Sequence, residues 1–578
     1  MKSTDRKPTR RNQASTQPTF GALFYLLLGG LAFRAIIAYF LPAGFDEAYY
    51  FLYSQHLNWS YFDHPPAVAW STGLGVWLTG TVSPFTLRWG ALGLFTGSLW
   101  LLFATGRQLF GQKVGLLSCA IASLTPLFFI SFGILTAPDN ALIVCWSVAL
   151  LLSAQEFFPQ ASHQSLSQSC SPESASGDHA MPVYTPTYRL SLISLALGLA
   201  CLSKYHGFLL CLSLLGFCTT QPEYRKVLTS RYFLFGLLLL VITQIPVLYW
   251  NAQHDWISFR FQLGDRFAAY GDQSNHYSFS LLFSVIAAQV GYLFPSIALP
   301  LWWTSLKTLV LKIRQRFTPL GKQTTASAID PVLSASTKVT FLLWSGLPVS
   351  IGFTLIGGAT HTFPAWPAPG LWSLTLLLGY AAAQWRTRKV KRWLWGTGWI
   401  IGTVLIFALT HITIGTLQKS GDYALFGGVV AIDEDPSTEL IDTVQLRRLL
   451  VQSMEFESAI AATDFIITSD FWLSGYLAMA LPKTLNVPIG SFTADPRGQA
   501  FWFNPADWVG QDALLVSIEA MDKNSQGKEP NGKLDAIAPY FQSVTPVTTI
   551  ATYRGGEVSK TFYFYRAKNL LRPYLYPY

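Results

Sequence analysis

The chain has 578 residues and a formal net charge of +9, with 12% charged, 51% hydrophobic and 15% aromatic residues. Ordinary globular chains are roughly 25% charged, so this composition excludes a string of soluble domains, disorder, a collagen repeat and a disulfide scaffold. It fits a polytopic α-helical membrane protein.

Lys2, Arg6, Lys7, Arg10 and Arg11 precede an apolar run at 20–41. That run, about 22 residues, is long enough to span roughly 30 Å of hydrocarbon and too long for a cleavable signal. It reads as a first helix behind a cytoplasmic basic segment, residues 1–19. Further apolar runs follow at 66–82, 88–106, 114–134, 139–155, 190–203, 205–219, 232–250, 279–303, 339–357, 366–384 and 393–415. Basic clusters at Arg107/Lys113, Arg225/Lys226/Arg231, Lys307 to Lys338 and Arg386 to Arg392 mark cytoplasmic turns. All four fall on one side only if the 66–82 run, short and opened by Pro65-Pro66, is an incomplete or re-entrant crossing. The count is then about 11 full spans, against 12 if every run crosses.

The membrane domain is expected to cover 20–415, with a polar, Ser-rich cytoplasmic linker at 156–189. From 416 to 578 the pattern changes. Short β-like runs (Phe465–Thr468, Ala513–Ser517, Thr548–Tyr553, Lys560–Arg566) alternate with helix-like stretches such as 437–460. This reads as an extracytoplasmic α/β domain. It has no disulfides, because all six cysteines (Cys119, Cys145, Cys170, Cys201, Cys211, Cys218) precede it. Their spacing shows no CxxC or Cys/His pattern, which argues against structural zinc. The basic residues lie beside apolar runs rather than on a basic face, so nucleic acid is not an expected partner. The C-terminal Leu575-Tyr576-Pro577-Tyr578 carries no retention signal, which points to a bacterial plasma (inner) membrane.

Ionisable residues concentrate at the external ends of the runs. The first external loop holds Asp46 and Glu47, among aromatics (Tyr49, Tyr50, Phe51, Tyr53, Trp59, Tyr61) that suit an interfacial helix lying along the bilayer. The plain structural reading of these acids is a helix cap. Asp63-His64-Pro65-Pro66 fixes an acid and an imidazole at the mouth of a run on a stiffened chain. Asp139, after Pro138, is either a helix-start acid favoured by the dipole or a site acid. Lys204 stands between two apolar runs; it is a functional candidate by position, with snorkelling to the interface as the alternative. Beyond Trp250-Asn251-Ala252-Gln253-His254-Asp255-Trp256, Arg260 and Arg266 break the charge bias of an external loop. Binding an anion such as phosphate would explain them, as would pairing with Asp255 or Asp265. There is no P-loop, and no GxGxxG joins a strand to a helix, so a nucleotide site is absent from the sequence.

In this order the motifs Asp-Glu, Tyr-Phe-Asp-His-Pro-Pro, Pro-Asp, Leu-Ser-Lys-Tyr and Trp-Asn-x-x-His-x-Trp resemble the bacterial family 39/83 glycosyltransferases. These are GT-C enzymes related to protein O-mannosyltransferases and to the lipid A aminoarabinose transferase. The resemblance covers roughly 20–300, and is weaker at His361-Thr362-Phe363-Pro364-Ala365-Trp366-Pro367 and in the C-terminal domain. It implies a polyprenyl-phosphate-linked sugar donor, an acceptor that is a lipid A-like glycolipid, a polysaccharide or a protein, and inversion at the anomeric carbon. One carboxylate then suffices to activate the acceptor hydroxyl. Asp46 matches the family's loop-one base and Asp139 its second acid. Lys204, Arg266 and His64 are the candidates for the donor phosphate, with Glu47, Tyr49, Asn251 and His254 in support. Asp63 stands where the aminoarabinose-transferase branch has an acidic metal ligand. That branch also has a histidine just before its arginine, where this chain reads Gln262-Leu263-Gly264-Asp265, with His254 or His276 as the nearest substitutes. Two cofactor outcomes stay open, none or a divalent metal at Asp63. The rival functions are a transporter or flippase of a lipid-linked or anionic substrate, and a sensor whose C-terminal domain binds ligand. The absence of an internal repeat and the gathering of acids in loops count against both.

Overall fold

The computed structural model describes residues 17–160, 184–265, 277–317, 337–360, 362–481, 485, 487–519 and 533–578. The central part of the Ser-rich linker, residues 161–183 including Cys170, and also Arg266, His276, Lys322 and His361, lie outside the described residues.

The apolar runs form a helical bundle. Its first half contains α1 (Gln17–Phe40), α2 (Phe45–Gln55), α3 (Ala67–Thr79), α4 (Pro84–Leu87), α5 (Trp89–Phe110), α6 (Gln112–Leu124) and α7 (Pro138–Phe157). Among the described residues six helices are long and apolar enough to cross a membrane: Gly21–Phe40, Pro84–Phe110, Pro138–Phe157, Arg231–Gln253, Thr337–Ile356 and Thr387–Ile414. A seventh is added if Phe279–Leu293 and Pro295–Gln315, bent by 116° at their junction, count as one span. This is fewer than the 11 or 12 expected, because several apolar runs form short helices. Arg189–Ser203 has 15 residues and Gly207–Thr220 has 14. At about 1.5 Å per residue each rises only about 22 Å, short of a full hydrocarbon crossing. The 66–82 run is short as expected: α3 has 13 residues and ends on Gly80 at φ 68°.

The short helices are packed among the long ones. Arg189–Ser203 lies between α7 and Arg231–Gln253, and Ala368–Ala383 packs on Thr337–Ile356 and α6. Trp146 Nε1 donates to Ser373 Oγ and Trp372 Nε1 to Ser147 Oγ, each at 2.9 Å. This reciprocal exchange gives both fully buried indoles a partner and clamps α7 to Ala368–Ala383.

The C-terminal domain is built on a mixed five-stranded sheet in the order β2-β1-β3-β5-β4. β1 (Phe465–Thr468), β2 (Ile489–Ser491) and β3 (Ala513–Ser517) are parallel, while β4 (Phe541–Arg554) and β5 (Glu557–Leu570) form an antiparallel hairpin. β1 and β3 are buried along their whole length, so they read as continuous apolar runs. The three-residue β2 carries too little pattern to be anticipated. Helices Thr443–Gln452 and Met454–Ala461 occupy the stretch expected to be helical.

This domain sits directly on the first loops of the bundle. Ala43 and Ile441 form an antiparallel bridge, Tyr476 Oη donates to Ala43 O at 3.0 Å, and Arg447 Nη2 donates to Val82 O at 2.8 Å. α2 packs across the Phe471–Ala480 helix. The crossing is close enough that a Cβ on Gly475 would overlap the backbone of Ala48. The aromatic face of α2, expected to lie along the bilayer, is therefore covered by protein: Glu47 to Ser54 are all buried.

Candidate active site

A cavity of about 380 Å³ opens where the first loops, the start of α7, the break after Arg189–Ser203 and the C-terminal domain meet. Its lining includes Asp46, Glu47, Asp63, His64, Asp139 and Lys204. Four of the five short motifs, spread over about 160 residues of sequence, thus converge on one space, while Trp-Asn-x-x-His-x-Trp does not line it. Phe363, Ala365 and Trp366, from the weaker motif, also line it. A larger hollow of about 960 Å³ along the Pro295–Phe317 helix is lined by Trp302, Trp303, Lys307, Arg314 and apolar residues, with no acid among the described residues.

Each acid has a distinct setting. Asp46 and Glu47 occupy the first turn of α2, where the helix dipole favours negative charge. Glu47, 2% exposed, accepts from the Gly44 backbone N–H at 3.1 Å and so caps the helix. It also accepts from Arg88 Nε at 2.8 Å and from Thr136 N–H at 3.1 Å. Asp46 is exposed on the cavity side. Within this pair Glu47 caps the helix, while Asp46 lines the cavity.

Asp139 is in the first turn of α7, behind Pro138, and both its oxygens receive Lys204 Nζ, at 2.9 and 2.8 Å. Lys204 caps the C-terminus of Arg189–Ser203 in extended conformation, at the break before Gly207. Only 6% exposed, it is turned into the protein and does not snorkel.

Asp63 is held by the hydroxyls of Tyr53 and Tyr49, the latter at 3.4 Å, and by Arg497 Nη1 at 3.4 Å. Burial, followed by the charge of Asp63, pushes both tyrosines well above their ordinary value, so they remain donors at physiological pH. Among the described residues no group of three His, Cys, Asp or Glu side chains is gathered to hold a metal. A cation at Asp63 would have to share its oxygens with Arg497. His64, 7% exposed, packs edge-on against Tyr50 with ring centres 5.6 Å apart.

The remaining expected residues stand behind or outside the cavity. Tyr49 is wholly buried and reaches it through Asp63. Asn251 accepts from Ser258 N–H at 3.1 Å and donates to Val247 O at 3.0 Å, organising the turn after Arg231–Gln253. His254 stacks on Trp250 at 4.0 Å. Arg266 lies outside the described residues.

Two arginines were not anticipated. Arg88, fully buried, grips Glu47 and also donates to the carbonyls of Ala38, Leu41 and Pro42. Its sequence signal was available: a lone arginine opening an apolar run, outside any basic cluster. Arg497 comes from the C-terminal domain, where Asp495-Pro496-Arg497-Gly498 looks like an ordinary turn.

A family model described as dolichyl-phosphate-mannose-protein mannosyltransferase matches residues 63–157, which include Asp63, His64 and Asp139. ArnT from Cupriavidus metallidurans in the apo state is similar in structure, with a TM-score of 0.54 at 14% identity, covering 94% of this chain and 98% of that one. The same protein bound to undecaprenyl phosphate is similar with a TM-score of 0.51, at the same identity and coverage. No curated protein matches the chain in sequence. The likeness shows the fold alone: a membrane bundle like that of the ArnT structures, carrying a C-terminal domain with a mixed sheet.

Proposed function

We propose that the protein is an inverting glycosyltransferase that moves a sugar from a polyprenyl-phosphate-linked donor to an acceptor hydroxyl on the extracytoplasmic face of the plasma membrane. The acceptor is a glycolipid, a polysaccharide or a protein. The observation that carries this reading is the meeting of Asp46, Asp63, His64, Asp139 and Lys204 in one cavity at the end of the bundle covered by the C-terminal domain. The fold supports it as well, since the similar ArnT structure holds undecaprenyl phosphate.

The reaction is a single displacement. The acceptor oxygen attacks the anomeric carbon as the bond from that carbon to the phosphate oxygen breaks, and polyprenyl phosphate leaves with the electron pair. Asp46, the acid exposed to the cavity, takes the acceptor hydroxyl proton. Asp139, held by Lys204, orients the acceptor. Lys204 places positive charge beside the leaving phosphate, where negative charge grows in the transition state. His64 adds a further donor on the same wall.

The test is transfer from radiolabelled polyprenyl-phosphate sugars in membranes carrying wild type or Asp46→Asn at matched expression. Loss of a positioned general base costs about a hundredfold or more, so Asp46→Asn should reduce labelling at least that far. The labelled product identifies the acceptor class. Undiminished transfer by Asp46→Asn removes Asp46 from the mechanism. Movement of substrate across sealed vesicles without any transfer would replace the enzyme reading with a transporter.

A further inference from the structure

Arg497 is the charged side chain that the C-terminal domain brings to the cavity, beside the apolar Leu440, and lies 434 residues away in sequence from the Asp63 it contacts. It lies on the segment after β2, and three features show that this segment is held in place. Arg497 adopts φ 46°, the left-handed region that non-glycine side chains rarely enter. Its backbone N–H donates to Tyr578 Oη at 2.9 Å, and the N–H of Gly498 donates to Tyr49 Oη at 3.0 Å. The guanidinium lies over the ring of Phe471 at 4.4 Å and near that of Phe261 at 5.9 Å. The backbone is thus strained to aim one cation at the cavity, and aromatic faces fix its plane.

The charge pattern says what that cation is for. Lys204, set beside the phosphate in the reading above, is anchored on both oxygens of Asp139 at 2.8–2.9 Å. Arg497 is bound more loosely, through Nη1 to Asp63 at 3.4 Å and Nε to Asp495 at 3.2 Å. Both distances exceed the roughly 2.7–2.9 Å of a good charged hydrogen bond, and among the described residues they use two of its five N–H donors. Asp63 also keeps two tyrosine hydroxyls as donors when Arg497 turns away. Burial works against the charge on Arg497, but Asp63 and Asp495 outweigh it and hold the group above its ordinary value, so it stays a cation.

We propose that Arg497 binds the phosphate of the lipid-linked donor, exchanging its loose contact with Asp63 for a two-pronged one to phosphate oxygens, so that the C-terminal domain completes the donor site. This rests on the lipid-phosphate reading above and adds a ligand to it from outside the bundle. A planar fork suits phosphate better than a point charge does.

The experiment measures binding of polyprenyl phosphate and of the matching polyprenol, which lacks phosphate, to the full-length protein in detergent. Hydrogen bonds from charged groups are strong enough that Arg497→Gln should weaken polyprenyl phosphate binding by about tenfold to a hundredfold and leave polyprenol binding unchanged. Arg497→Lys should fall between, because it keeps charge and loses the fork. A second measurement uses wild type alone: polyprenyl phosphate, and not polyprenol, should protect Arg497 from phenylglyoxal, read by mass spectrometry. Equal polyprenyl phosphate binding by Arg497→Gln, equal loss of both lipids, or equal labelling under both lipids overturns the proposal while the transferase reading stands. If wild type itself does not distinguish polyprenyl phosphate from polyprenol, the lipid-phosphate reading fails and this proposal with it.

Discussion

Glu47 and Arg88 form a two-pronged ion pair sealed from solvent, with Nε to Oε1 at 2.8 Å and Nη2 to Oε2 at 2.5 Å. The same carboxylate accepts from the backbones of Gly44 and Thr136, so one side chain ties together the loops that carry Asp46 and Asp139. Removing one partner of a buried pair leaves an uncompensated charge and typically costs about 3–5 kcal/mol. Glu47→Ala is therefore expected to lower thermal stability in detergent by that order. The double variant Glu47→Gln/Arg88→Met should recover part of the loss. A Glu47→Ala protein as stable as wild type would show that Arg88 finds adequate partners in the carbonyls of Ala38, Leu41 and Pro42.

Asp139 and Lys204 make a second buried pair, which predicts a separation of stability from activity. Lys204→Met alone should destabilise by about 3–5 kcal/mol, because it strands a buried carboxylate. Asp139→Asn/Lys204→Met should restore much of the stability without restoring sugar transfer. Thermal unfolding and transfer rates on the same preparations check this. Recovery of both together would make the pair a structural tie and nothing more.

Gly475 lets the Phe471–Ala480 helix cross α2 at backbone distance. Gly475→Val should push the two apart at a cost of about 1–3 kcal/mol, the usual range for overpacking. It should also expose the C-terminal domain to limited proteolysis and depress transfer, since the Arg497 segment is registered on α2 through Tyr49. Unchanged proteolysis together with full activity would show that this crossing is not needed for the site.

The junction between the last long helix and the C-terminal domain is expected to weaken in acid. Asp435, 4% exposed, faces Arg554, Ser437 and His411, whose Nε2 lies 3.0 Å away. Burial raises its pKa, but the hydrogen bonds from Ser437 and the charge of Arg554 outweigh burial and hold the carboxyl below its ordinary value. A depressed folded pKa means that its contribution to stability is complete above the unfolded value, about pH 4, and is lost as pH falls through the folded value. Unfolding midpoints measured from pH 7 down to pH 3 should therefore drop more steeply for wild type than for Asp435→Asn. Parallel acid limbs in the two proteins would remove Asp435 as a source of the acid loss.

Much of this molecule is legible without coordinates, because apolar burial leaves a periodic, local trace. The composition identifies a membrane bundle, and the continuous apolar runs Phe465–Thr468 and Ala513–Ser517 become β1 and β3 with those bounds. The acids of the site are visible because carboxylates beside apolar runs are costly and few, so Asp46, Asp63 and Asp139 stand out. Helix lengths, the cover over α2 and the closure of the cavity were decided by tertiary contacts. A run of 15 apolar residues has the same composition whether it crosses a bilayer or packs between two longer helices. The aromatic face of α2 suits a membrane surface and the Phe471–Ala480 helix equally well, and only packing chose between them. Arg88 and Arg497 take their meaning from partners 41 and 434 residues away, Glu47 and Asp63. No local pattern encodes contacts at such separations, since each arises when independently folded segments find complementary charge in the same buried space.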